Sequence, residues 1–366
     1  MPKAPLVGAT WIRPPQTLSA TCSARSEWVL FGLTQNGEWF IYDPLSSMCE
    51  VAQVNVHPRG LVIQALESGA NGYLYLGGYH GGLSIYAPSA EKVVGSAPTF
   101  PQTEGIGRLD EHMYMGTYRN ANIYRLDPSK GLGKDNPAWL FAVGARQDRP
   151  FAFASGDGKV FIGTVPEYGL LGGALTVYDP DADRRKTYPD IIKDQSIISL
   201  VYRQGKVYGA TSIYGGLGSL PRADAAKVFI WDASTETLLA ETVPDLPDID
   251  MPPKAIGELR FGPDGKLWGA TYRTIFVMDP KTLQVERAKT IYPDRKEPSH
   301  QWRPICLRWG PDGLLYTTLG HRLTVIDPKT LNSQAFDETS LIAIGADGHI
   351  YYAKGARLFR MKCKGA

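Results

Sequence analysis

The chain has 366 residues, with 39 Lys and Arg against 37 Asp and Glu and a net charge of +2. That balance offers no electrostatic case for nucleic acid or an anionic membrane as partner, and no apolar run approaches a membrane span. The opening Met1-Pro2-Lys3-Ala4-Pro5 does not read as a secretory signal, and no Gly/Ser linker or low-complexity tail divides the sequence.

One pattern is written eight times along the chain. A turn, D-G or N-G in most copies, leads into a strand, a loop follows, and a second strand ends in Asp-Pro or a relative of it. In chain order the second-strand landmarks are Trp39-Phe40-Ile41-Tyr42, Leu83-Ser84-Ile85-Tyr86, Ile123-Tyr124-Arg125-Leu126 and Leu175-Thr176-Val177-Tyr178. Val228-Phe229-Ile230-Trp231, Ile275-Phe276-Val277-Met278, Leu323-Thr324-Val325-Ile326 and Leu358-Phe359-Arg360-Met361 complete the series. Alternation with period two marks half-buried strands. Asp-Gly supplies the positive φ of a tight antiparallel turn, and Pro after Asp ends a strand because it has no N–H to donate. No stretch offers a convincing amphipathic helix of three turns.

A repeat of roughly 40–50 residues made only of strands predicts a β-propeller. The fold class is all-β, a single domain over residues 1–366, with eight four-stranded blades; seven is the alternative count. The last repeat runs out after its third strand. The segment Pro5–Ile12, which precedes a first inner strand near Leu18-Ser19-Ala20, is therefore expected to complete the last blade beside Arg357–Met361. Such a closure removes two open sheet edges.

The four cysteines are Cys22, Cys49, Cys306 and Cys363. Cys22 and Cys306 fall on inner strands and read as small buried thiols. Cys49 and Cys363 lie in the first and last repeats, so a disulfide between them stays open. No CxxC or His/Cys spacing suggests a metal, and no cofactor is expected. Asp179-Pro180-Asp181-Ala182-Asp183 lacks the glycine and closing glutamate of a calcium loop and reads as a solvated turn.

Function is expected in the loops joining the second and third strands of each blade. Reading around the ring, they carry Tyr79-His80, Tyr118-Arg119, Glu167-Tyr168, Ile213-Tyr214, Tyr272-Arg273 and Gly320-His321. A purely structural turn would use Gly, Asn, Asp or Ser there. The connections between blades add Arg149, Trp302 and Arg303. Arg grips a carboxylate with two parallel hydrogen bonds, and His and Tyr can exchange protons. Tyr79, Tyr118 and Tyr272 recur in phase, which equally fits wedges packed between blades. Two longer loops, Pro166–Ala174 and Ile213–Pro221, each hold a Tyr-Gly and a glycine-rich bend. Their glycines let backbone pass close to a ligand or to the neighbouring loop.

The Gly-x-Asp-Gly-x-Leu-Tyr … Leu-x-Val-x-Asp-Pro-x-Thr rhythm resembles propellers of the quinoprotein-dehydrogenase-like and YncE-like superfamily over nearly the whole chain. The tryptophan-docking repeats of true quinoprotein dehydrogenases are absent, which argues against a bound quinone. A looser resemblance is to propeller-fold polysaccharide lyases acting on uronate-containing glycans. It implies β-elimination on an acidic oligo- or polysaccharide, with Arg119 and Arg273 neutralising the uronate carboxylate. Tyr168, Tyr214, His80 or His321 would then carry the proton. Tyr118, Tyr272, Trp302, Arg149 and Arg303 would contact substrate. Such an activity implies a secreted or periplasmic setting. The alternative is a non-catalytic propeller that binds a glycan or a protein through the same face.

Overall fold

The computed structural model describes residues 6–14, 26–34, 37–53, 60–246, 251–296, 298, 302 and 305–363. Eight antiparallel sheets follow one another along the chain, one for each copy of the repeat. Seven have four strands and the last has three among the described residues. All eight second-strand landmarks are the third strand of their sheet, from Glu38–Asp43 to Arg357–Met361. The protein is an all-β propeller-type repeat, as the sequence predicts.

The turn between the first and second strands does more than reverse the chain. In the sixth sheet Gly265 sits at φ +76°, a region open to glycine at little cost. Asp264 accepts the Lys266 amide at 3.0 Å and the Trp268 indole N–H at 3.2 Å. The same carboxylate-to-aromatic bond recurs from Tyr316 to Asp312 and from Tyr351 to Asp347, both at 2.7 Å. One Asp thus shapes the turn and satisfies the polar end of a ring buried four residues later. In the Asp-Pro turns the aspartate caps as well: Asp279 Oδ1 accepts the amides of Lys281 and Thr282.

The described residues fall into two compact units, Met1–Gly60 and Leu61–Ala366. The first is a single sheet of strands Leu6–Ile12, Val29–Thr34, Glu38–Asp43 and Met48–Gln53. Here the expectation for the N-terminal strand is corrected. Leu6–Ile12 pairs antiparallel with Val29–Thr34, with Thr10 opposite Phe31 and Trp11 opposite Leu30, and not with Arg357–Met361. Alternation makes a segment a strand without naming its partner. A nearby edge closes a far shorter loop than one at the other end of the chain, at lower entropic cost. The expected inner strand near Leu18-Ser19-Ala20, and Cys22, lie outside the described residues. Cys49, Cys306 and Cys363 are free thiols.

In the second unit seven sheets form a ring. Each pair of consecutive sheets shares an apolar cluster, such as Phe161, Leu175, Leu200 and Phe229 between the fourth and fifth. The eighth sheet packs on the second in the same way, through Leu66, Leu74, Ala343 and Tyr351. Each fully buried side chain of this size contributes roughly 1.5–3 kcal/mol. The first strands, or the residues just before them, of all seven sheets surround one cavity of about 480 Å³. This places the first strand of each sheet innermost.

Candidate functional site

The cavity wall is mixed, with charged side chains set among apolar ones such as Ile63, Ile106, Phe151 and Ile198. Deep in it, Arg308 donates to Glu258 at 2.8 Å and to Glu67 at 3.0 Å, while Arg260 reaches Glu258 at 3.0 Å. Burial alone would raise the Glu258 carboxyl. Arg308 and then Arg260 outweigh it, and the group is held below its ordinary range. This cluster is paired internally and joins the second, sixth and seventh sheets.

A second ion cluster lies under the second-to-third-strand loops. Glu104, on the first strand of the third sheet, Thr103–Leu109, has a fully buried side chain. It accepts Gln64 Nε2 at 2.6 Å, Gln102 Nε2 at 2.8 Å and Arg149 Nη1 at 2.6 Å. Arg149 comes from the neighbouring first strand, Gln147–Gly156. Its other terminal nitrogen donates to the Tyr168 hydroxyl at 2.9 Å. Its guanidinium lies 4.0 Å from the Tyr118 ring centroid, 5.2 Å from that of Trp302 and 5.7 Å from that of Tyr168. These are cation–π distances.

Above Arg149 the Tyr118 and Tyr168 hydroxyl oxygens are 3.3 Å apart. Arg149 already donates to the Tyr168 oxygen, so the arrangement favours Tyr168 as donor and Tyr118 as acceptor. The hydrogen bond from Tyr168 is the main cause that holds the Tyr118 phenol below its ordinary pKa, with Arg119 and Arg149 adding to it against burial. The bond to Tyr118, then burial, moves Tyr168 upward. The two phenols are thus shifted in opposite directions. Arg119 is exposed, with its guanidinium 5.8 Å from the Tyr118 ring centroid.

Local sequence explains how these loops are held. Tyr118 N–H donates to the Gln102 carbonyl at 2.9 Å, and Asp148 accepts the Asn120 amide at 2.9 Å. The loop is thus pinned both by the chain that enters its own sheet and by the chain that enters the next. Loops Pro166–Ala174 and Ile213–Pro221 bond to each other, from Gly169 N–H to Leu217 O at 2.8 Å and from Gly216 N–H to Leu170 O at 2.9 Å. A methyl group on Gly216 would stand 2.0 Å from the Glu167 carbonyl oxygen. Of the two uses the sequence left open for these glycines, contact with the neighbouring loop is the one seen.

The sequence candidates separate into two groups. Tyr118, Arg119, Arg149, Tyr168 and Trp302 are brought together. Trp302 donates its indole N–H to the Gly215 carbonyl at 2.7 Å, which puts the half-buried Tyr214 next in the chain to that contact. His80 joins through a relay: its amide donates to Gln102 Oε1 at 2.9 Å, and its ring lies 4.0 Å from that of Tyr79. Tyr272, Arg273 and His321 form a separate group. Tyr272 is buried with its ring 5.2 Å from His321, and Arg273 Nη1 donates to the Pro293 carbonyl at 3.0 Å. Partial burial, then Arg295, lowers the His321 pKa. Arg303 lies outside the described residues.

Sequence reasoning missed Glu104, Gln64 and the Glu67–Glu258–Arg308 cluster. The signal available was a charged or amide side chain inside a strand that otherwise reads as inner. Among the described residues no group of three or more His, Cys, Asp or Glu stands ready to hold a metal ion. No protein-family model matches the chain, and no curated protein is similar to it.

Proposed function

We propose that the Tyr118–Tyr168 mouth binds an acidic oligo- or polysaccharide and cleaves it by β-elimination beside a uronate. The observation that carries this reading is the phenol pair at 3.3 Å, with Arg149 beneath it and Arg119 beside it. Relative to the resemblance, two roles change. Tyr118, expected to contact substrate, becomes the base, and Tyr168 becomes its hydrogen-bond donor.

In this mechanism Arg119 takes the uronate carboxylate and draws charge onto it. The Tyr118 phenolate removes the proton from the carbon next to that carboxylate, and the C–H electron pair is held as an enolate-like carboxylate. That pair then forms the C4–C5 double bond as the C4–O bond breaks. Tyr118 returns the proton to the leaving oxygen, so no proton is gained or lost overall. Arg149 is neutralised by Glu104 and is not needed for the substrate charge. Its task is to hold the two phenols.

The test is a panel of uronate-containing glycans incubated with the protein, read by the ultraviolet absorbance of the new conjugated double bond. Rising absorbance that is lost in Tyr118→Phe supports the reading. Binding without any rise would leave a glycan-binding module, a role that the exposed rings of Tyr79 and Tyr168 favour. Neither cleavage nor binding of any acidic glycan would sink both.

A further inference from the structure

We propose that Glu104 is the positioning residue of this mouth: its buried carboxylate holds Arg149 where the guanidinium meets both phenols. The inference rests on the Tyr118 reading for its chemical purpose, but its geometry stands apart from it. Glu104 gathers donors from three consecutive sheets, Gln64 on the second, Gln102 at the entry to the third and Arg149 on the fourth. Gln102 in turn accepts the His80 amide through its side chain and the Tyr118 amide through its carbonyl. One carboxylate therefore sets the frame of the His80 loop, the Tyr118 loop and the cation under Tyr168.

Charge separates this role from that of a simple clamp between sheets. Tyr118 faces Tyr168, Arg119, Arg149 and Asp148; Glu104 faces Gln64, Gln102 and Arg149. Removing the Glu104 charge while keeping its shape leaves Arg149 an uncompensated cation beside the phenols. Such a cation favours the phenolate. A hydrogen-bonded clamp with no electrostatic role would lose stability only.

The experiment is a spectrophotometric titration of phenol ionisation, made on the full chain without substrate. The step that disappears in Tyr118→Phe belongs to Tyr118. In Glu104→Gln that step is expected to move, downward by about one pH unit, and the move should vanish when Arg149→Met is also present. Arg149→Met alone should raise the step. A Tyr118 step unmoved in Glu104→Gln, or moved equally with and without Arg149, overturns the proposal. If Glu104→Gln does not fold, Arg149→Met and Glu104→Asp replace it. An unmoved step in Arg149→Met is then fatal, and Glu104→Asp, which keeps the charge, should stay close to the parent. A positive titration in a protein inert toward glycans would remove the elimination reading and leave Glu104 in its role. Cleavage with an unmoved titration would do the reverse.

Discussion

Two loops of this ring carry the same dipeptide after the same residue: Thr117-Tyr118-Arg119 and Thr271-Tyr272-Arg273. Each joins the second and third strands of its sheet, and their fates differ. Over Tyr118 the chain enters the next sheet directly through Gln147-Asp148-Arg149, which leaves Arg119 exposed and sets a cation against the ring. Over Tyr272 a longer connection crosses. Ile291 and Tyr292 bond the Arg273 carbonyl, the Gly320 amide bonds the Tyr272 carbonyl, and Pro293 occupies the guanidinium. One Tyr-Arg is left open to a ligand, while the other is used up in packing. The residue types supply a capability, and the neighbouring connection decides whether it is available.

That contrast can be broken most sharply at the hydroxyls. Tyr118→Phe should lower turnover of a cleaved glycan by at least about 100-fold, close to 3 kcal/mol of transition-state stabilisation, with KM little changed. Tyr272→Phe should stay within about two-fold of the parent. Equal losses in the two variants would erase the distinction.

The next effect belongs to the loop pair that supports Tyr168. The Gly216→Ala methyl meets backbone at 2.0 Å and cannot be relieved by moving a side chain. We expect a loss of about 1–3 kcal/mol in stability together with reduced activity. Gly131→Ala, whose added methyl meets nothing within 4 Å, serves as the control. Thermal melts and rates of the two variants decide it, and a Gly216 variant indistinguishable from the control would release these loops from the site.

The arginines give a smaller and more selective pair. Arg119→Ala should weaken binding of an acidic oligosaccharide about 10-fold. Arg273→Ala should leave affinity unchanged and instead cost about 0.5–1.5 kcal/mol of stability, because the Pro293 carbonyl loses its donor. Calorimetric titration and denaturant melts separate the outcomes. Lost affinity in the Arg273 variant would join the two groups into one site.

The smallest effect is in the pH dependence of stability on the Tyr272 side. Partial burial and Arg295 lower the His321 pKa from an unfolded value of about 6.5. Between the folded and unfolded values the unfolded chain binds more protons. Stability is therefore complete above about pH 6.5 and falls as pH drops toward the folded pKa. The ring is exposed enough for solvent to screen it, so a few tenths of a kcal/mol per pH unit is the expected slope. His321→Gln should flatten that part of the profile while leaving any glycan affinity untouched. An unchanged slope would assign the acid limb to other groups.

The architecture was legible because its signals are local. All eight third strands announce themselves by alternation, five of them directly before Asp-Pro, and each Gly-x-Asp-Gly must turn wherever it stands. The residue types at the mouth were legible too, since His, Arg and Tyr are costly choices for a bare turn. Roles were not: Tyr118 and Tyr272 have nearly the same neighbours in sequence, and only the overlying connection distinguishes them. Glu104 was hidden for a related reason. In Gln102-Thr103-Glu104-Gly105 a polar alternation reads as a solvated strand face, and it faces a cavity only once seven first strands surround it.

By itself, then, the sequence determined the strands, their turns and their eight-fold repetition, because hydrogen-bonding period and turn chemistry act over a few residues. Partners belonged to the tertiary structure. Leu6–Ile12 joined Val29–Thr34 because alternation fits any free edge and the choice falls on distance along the chain and entropy. Glu104, Arg149, Tyr118 and Tyr168 became one cluster because a buried charge must find its counter-charge among whatever the ring brings within reach.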